Sequence, residues 1–72
     1  MEREIAQSFL KKYVKLEKQL PNDDRPFKLF GTIEKVTDET LLLKTDKGLG
    51  AIRLKDIIAI VEWKDIFAQG NR

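Results

Sequence analysis

Three side chains have the type and spacing to hold an anion: Lys35, just before Thr37-Asp-Glu39, and Arg53 with Lys55, just before the apolar run Ile57–Val61. Proteins that bind single-stranded nucleic acid combine such cations with flat apolar surfaces on which bases stack. Taken singly, each of the three reads as a solvated surface charge. Their interest lies in the two turns they flank, which a small β-fold would bring to neighbouring strand ends. The aromatic residues Tyr13, Phe27, Phe30, Trp63 and Phe67 are expected as core or interface residues rather than as base-stacking platforms.

Other chemistry is poorly supplied. The sequence has no histidine and no cysteine, and its one serine, Ser8, falls in a helical pattern without an adjacent base, so nucleophilic catalysis by a Ser-His-Asp or Cys-His arrangement is excluded. The acid pairs Asp23-Asp24 and Asp38-Glu39 sit among turn-forming residues, where solvation and turn preference explain them without a metal. Thr45-Asp-Lys-Gly-Leu-Gly50 carries two glycines but neither the spacing nor the following helix of a phosphate-cradling loop, and reads as a hairpin turn. Neither catalysis, a cofactor nor a metal is expected.

Fourteen Lys and Arg against twelve Asp and Glu leave a formal charge of +2, a weak pull on any polyanion. A chain of 72 residues forms one domain with a modest core. Disulfides cannot reinforce it, so oligomerisation is the remaining common source of stability. No apolar run approaches the roughly 20 residues that span a bilayer, and the first residues mix charges of both signs, so the chain is expected to be soluble and cytoplasmic. Abundant Lys and Glu would suit a thermophile, in which ion-pair networks gain value with temperature.

These residues must be positioned by a small number of elements. From Glu2 to Lys12, Ile5, Ala6, Phe9, Leu10 and Tyr13 form an apolar stripe at helical spacing. Leu16 and Leu20 would extend that stripe, yet Val14, Leu16 and Leu20 also share one face of a strand, and the pattern alone leaves both readings open. Pro21–Pro26 is a polar loop. The period then becomes two, with Phe27, Leu29 and Ile33 on one side, and Gly31 marks a bend or a close backbone approach. Strands are expected over 40–45, 50–54 and 57–63, with a tight turn at Asp46-Lys-Gly48. Ile57-Ile-Ala-Ile-Val61 does not alternate, so both its faces need cover, one of them from the helix or a second subunit.

The stretch from Val14 to Val61 resembles the Sm-like family, which includes LSm proteins and bacterial Hfq. FKLFGTIEKVTDETLLLK is similar to the family's first motif, with Gly31, Ile33, Val36, Leu41 and Leu43 at its structural positions. LGAIRLKDIIAIVE resembles the second, where Ile52 and Arg53 match and Leu54 stands in place of a glycine. The Asp-x-x-x-Asn pattern of RNA-binding Sm loops is absent, and so is the Hfq-type Tyr-Lys-His turn. The resemblance implies a mainly β fold behind one N-terminal helix: a five-stranded, strongly bent antiparallel Sm-like (SH3-like) barrel, with the helix over 2–12, the barrel over 13–63 and a tail over 64–72. It selects the strand reading for Tyr13 to Leu20.

It also implies a ring of six or seven copies in which the fourth strand of one pairs with the fifth of the next. Ala51, Ile57, Ile58, Ile60 and Val61 would form that interface. Thr37, Asp38, Arg53 and Lys55, with Lys35 nearby, would approach the pore and bind single-stranded RNA, while Arg3, Gln7 and Lys11 would decorate the helical face. The competing expectation is an SH3-like barrel that binds protein partners and no nucleic acid, favoured by the near-neutral charge and the missing asparagine.

Overall fold

A computed structural model describes residues 1–63; the expected tail over 64–72, including Phe67, lies outside the described residues. The elements are α1 (Arg3–Gln7), β1 (Tyr13–Lys18), β2 (Phe27–Val36), β3 (Thr40–Thr45), β4 (Gly48–Arg53), a single 3-10 turn (Leu54–Asp56) and β5 (Ile57–Glu62). The fold is mainly β, with one short helix and one antiparallel sheet in the order β4-β3-β2-β1-β5. No helix among the described residues is long and apolar enough to cross a membrane.

The helix is shorter than its apolar stripe predicts. Beyond Gln7 the amides of Phe9, Leu10 and Lys12 bond to carbonyls three residues back, and the Ser8 hydroxyl donates to the Ile5 carbonyl at 2.6 Å. The chain turns because β2 captures its backbone: Lys11 N–H donates to the Ile33 carbonyl at 2.7 Å, and Ile33 N–H donates to that of Lys12 at 3.2 Å. Lys11 takes a positive φ of 67° to do so. Ala6 is buried and Phe9 and Leu10 pack on the core, but Ile5, placed on the buried stripe by its spacing, is exposed.

Strand parity builds the core. Val14 and Leu16 from β1, Ile33 from β2, Leu41 and Leu43 from β3 and Ile52 from β4 alternate inward, joined by Ala6, Leu54 and Ile57. Tyr13–Lys18 is a strand, two residues short of the expected range, and Gln19 N–H then donates to the Asp56 carbonyl at 2.8 Å. Gly31 is a point of close approach: a Cβ there would lie 2.4 Å from the Lys44 carbonyl oxygen. Between Ile33 and Lys35 the β2–β3 register shifts, a bulge that bends the longest strand. The β3–β4 hairpin pairs Thr45 with Gly48, whose φ of 125° meets the positive-φ demand of the tight turn, and β4 begins at Gly48 rather than Gly50.

The last connection sets the shape. In a flat sheet, β4 and β5 would stand four strand spacings apart, about 19 Å. Three residues between Arg53 and Ile57 can reach only about 14 Å. The sheet must therefore curl until its two edges approach at this turn. Among the described residues β4 and β5 share no ladder, so both remain edge strands.

Candidate nucleic-acid interface

The end of the sheet where β4 passes into β5 gathers the residues singled out for anion binding. The β2–β3 turn is pinned by Thr37, whose amide and hydroxyl both donate to the Thr40 carbonyl and whose hydroxyl oxygen accepts from Thr40 N–H. Thr40 lies opposite Arg53 in the β3–β4 ladder, and Leu54 N–H donates to the Glu39 carbonyl at 2.8 Å. Thr37, Asp38, Arg53 and Lys55 thus share one end, and Lys35 lies one residue before the Val36–Leu41 pair beside it. Lys35, Arg53 and Lys55 are all exposed.

Their charge is largely balanced. Arg53 Nε sits 3.2 Å from Asp56 Oδ2, and an Arg3 guanidinium nitrogen donates to Asp38 Oδ1. Glu39 adds another carboxylate. An anion arriving here meets guanidinium groups that already hold carboxylates, exposed at Asp38 and half-buried at Asp56, in surface contacts worth little in stability.

The sheet's two edges carry the residues expected at an interface. Ala51 on β4 and Ile58 and Val61 on β5 are exposed, and so is Leu49 beside Ala51. Ile57 is buried in the protomer's own core, and Ile60 packs half-buried against it. Gly50 and Gly48 leave β4 unobstructed, with nothing near where their side chains would be.

A different surface was not legible from the pattern. Tyr13, Phe27 and Phe30, expected as core or interface residues, are 40%, 47% and 41% exposed. Parity explains two of them. Val14 and Leu16 face inward, so Tyr13 and Lys15 face outward; Gly31 and Ile33 face inward, so Phe30 faces outward, opposite Lys15 in the ladder. Phe27 shares the inward parity but stands at the strand's end, beyond the core.

These rings, with Lys28 and Leu29, line a cleft of about 560 Å³ beside the start of β2, bounded on the other side by the β3–β4 hairpin from Lys44 to Lys47. Its floor is aromatic and its rim basic. The Phe30 and Trp63 rings meet edge to face, centroids 5.2 Å apart at 70°, and Lys15 Nζ lies 5.8 Å from the Trp63 ring centre. Lys28, Lys44 and Lys47 are exposed, and among the described residues their ammonium groups form no ion pair. Among the described residues, Asp46 is the single carboxylate that lines the cleft. Just outside, Lys11 Nζ donates to Glu34 Oε1 at 2.9 Å; this bond and the Lys11 charge hold the Glu34 carboxyl below its ordinary range, with Lys44 adding to the effect.

No set of three or more acidic side chains converges as a metal site among the described residues. In comparisons with known proteins, no family model, no curated protein and no solved structure matches this chain.

Proposed function

We propose that the chain is an Sm-like module, a small barrel whose copies join edge to edge into a ring, of six or seven by the resemblance, and bind single-stranded RNA at the loop end through Lys35, Thr37, Asp38, Arg53 and Lys55. The observation that carries this reading is the strand order β4-β3-β2-β1-β5 with both edge strands uncovered, meeting at the turn where those residues gather. An uncovered apolar edge is a liability that a strand from a second copy removes. Leu49 and Ala51 on one edge and Ile58 and Val61 on the other offer apolar surface for that pairing. Around a ring, the loop end of every copy would face a common axis, so weak single contacts would add.

Native mass measurement tests the assembly and should return a closed multiple of the 8.4 kDa chain; a monomer at every concentration rejects it. For the site, Arg53→Ala should weaken binding of a short RNA about tenfold, the worth of one charge-assisted hydrogen bond of about 1.5 kcal/mol. The assembly should survive. Unchanged affinity and salt slope would remove Arg53 from the interface.

The second reading, an SH3-like barrel that binds protein partners without nucleic acid, is favoured by the Arg53–Asp56 and Arg3–Asp38 pairs, which leave the loop end nearly neutral. Partner recovery that persists after nuclease treatment, with no RNA bound by the purified protein, would select it.

A further inference from the structure

We infer that the hollow on the inner side of the sheet, at its β3–β4 hairpin end, binds a small anionic amphiphile: a free alkyl carboxylate of medium chain length, its chain against Leu29, Leu43 and Ile52 and its carboxylate on Lys18 and Lys47. The site lies at the opposite end of β3 and β4 from the loop residues, and it rests on neither the proposed ring nor RNA binding.

Strand parity makes the hollow. Ile52 of β4 is buried in the core, opposite Leu41; two residues earlier Gly50 stands opposite Leu43, on the same side of the ladder, with no side chain to fill the space. A Cβ added at Gly50 would touch nothing within 4 Å. Across the gap, Val14 and Leu16 face inward, so the parity of β1 turns Lys18 inward as well, and Gly31 and Ile33 set Leu29 on the same side of β2. A groove of about 320 Å³ remains between these strands. At the other end of β4 the corresponding space is occupied by Ile52 and Leu54.

The lining decides the occupant. Apart from Thr45 and the two lysines its side chains are apolar, and among the described residues no carboxylate lines it and neither lysine forms an ion pair. Lys18 carries the most weight: it is a half-buried ammonium of inward parity, and a cation drawn away from water gains most from a counter-ion. A carboxylate at the mouth of the groove supplies that counter-ion, and an alkyl chain takes the place of the side chain that Gly50 lacks. A cationic amphiphile would meet two positive charges. A neutral one would leave Lys18 as it stands. The strand of a second copy would engage the β4 backbone and brings no charge to Lys18. The volume lies at the lower end of the range for sites that enclose a small ligand, which suits one unbranched chain.

The test uses the full chain, labelled with nitrogen-15 and titrated, below the concentration at which micelles form, with octanoate, decanoate, octan-1-ol and octyltrimethylammonium. Saturable amide shifts at Lys18, Leu29, Leu43 and Gly48–Ile52 are expected with both carboxylates. Decanoate should bind about fifteenfold tighter than octanoate, since each buried methylene is worth about fourfold. Gly50→Leu puts a side chain into the hollow and should abolish binding while the urea midpoint holds. Lys18→Gln should weaken octanoate about tenfold and leave octan-1-ol unaltered, a split that a merely reshaped groove would not produce. Octyltrimethylammonium binding as tightly as octanoate overturns the anion assignment. Octanoate affinity unaltered by Gly50→Leu, or shifts that begin only where micelles form, overturns the site. None of these residues belongs to the loop end, so failure here leaves the proposed RNA contact at Arg53 and Lys55 standing.

Discussion

Two glycines of this sheet carry different physical demands, and one substitution separates them. At Gly31 a methyl group would meet the backbone oxygen of Lys44, an atom held in the β2–β3 ladder that cannot swing away. Gly31→Ala should therefore cost more than about 2 kcal/mol, the scale of overpacking a tight site, read as a lower urea midpoint. At Gly48 nothing stands near the added methyl, and only the φ of 125° opposes it. Gly48→Ala should cost about 1–2 kcal/mol, with the hairpin amides exchanging first. The need for glycine at both positions is readable in the sequence, from a strand interrupted at Gly31 and a turn closed at Gly48. The exposure of Ile5 is not, because helical spacing says which residues share a face and not where the helix stops.

One titrating group has a pH consequence at the same scale. Glu34 is held below its ordinary value of 4.5 in the folded chain, first by the hydrogen bond from Lys11 and then by that residue's charge. A carboxylate depressed on folding adds stability that is fully present above the ordinary value and disappears as pH falls through the lowered one. Glu34→Gln should leave a shallower acid limb below pH 4.5 in urea midpoints recorded against pH. A limb identical to that of the parent would show that the pair has no effect on folding. The pair lies at the surface, with Lys11 exposed and Glu34 half-buried, so the difference is expected to be small.

Among the elements, the strands were more legible than the helix. Alternation in β1 and β2 indicates which residues face inward, whereas the three consecutive leucines of β3 do not, and the polar loops delimit the strands within a few residues. The N-terminal segment misleads because Ile5, Phe9 and Tyr13 satisfy a helical stripe equally well when the chain turns at Lys11 and enters β1. What decides is the pairing of Lys11 and Lys12 with Ile33, a contact between residues far apart in sequence. The β5 edge yields a prediction at this scale. Ile58→Lys and Val61→Lys place charges on exposed positions of an edge strand, so thermal unfolding of the protomer should change by less than about 0.5 kcal/mol. Sedimentation should show smaller species, since a lysine on an edge blocks strand addition. An unaltered mass would place the contact between copies elsewhere.

At the scale of the molecule, composition and periodicity gave a mainly β chain with one helix, but the strand order was not contained in them. Short connections join β2 to β3 and β3 to β4, which argues for neighbours. Nothing local says that β5 returns beside β1. That pairing is long-range, with Val14 opposite Glu62 and Leu16 opposite Ile60. The candidate site divides in the same way. Lys35, Arg53 and Lys55 were legible because they flank turns. The cleft beside the start of β2 escaped because its rings come from β1 and β2 and its lysines largely from a hairpin, and an exposed phenylalanine looks like a buried one until the parity of its strand is known.

The three residues from Leu54 to Asp56 couple two properties that most sheets keep apart. Under the proposed pairing of β4 with the β5 of a neighbour, successive copies are related by whatever rotation separates the two borders of a single chain, and that rotation is set by how tightly this hinge draws them together. Leu54 anchors the hinge in the interior and Gln19 clasps its far end. Stoichiometry then becomes a matter of curvature: a looser hinge opens the angle per copy and changes how many are needed to come full circle, without altering a single atom of the surfaces that touch.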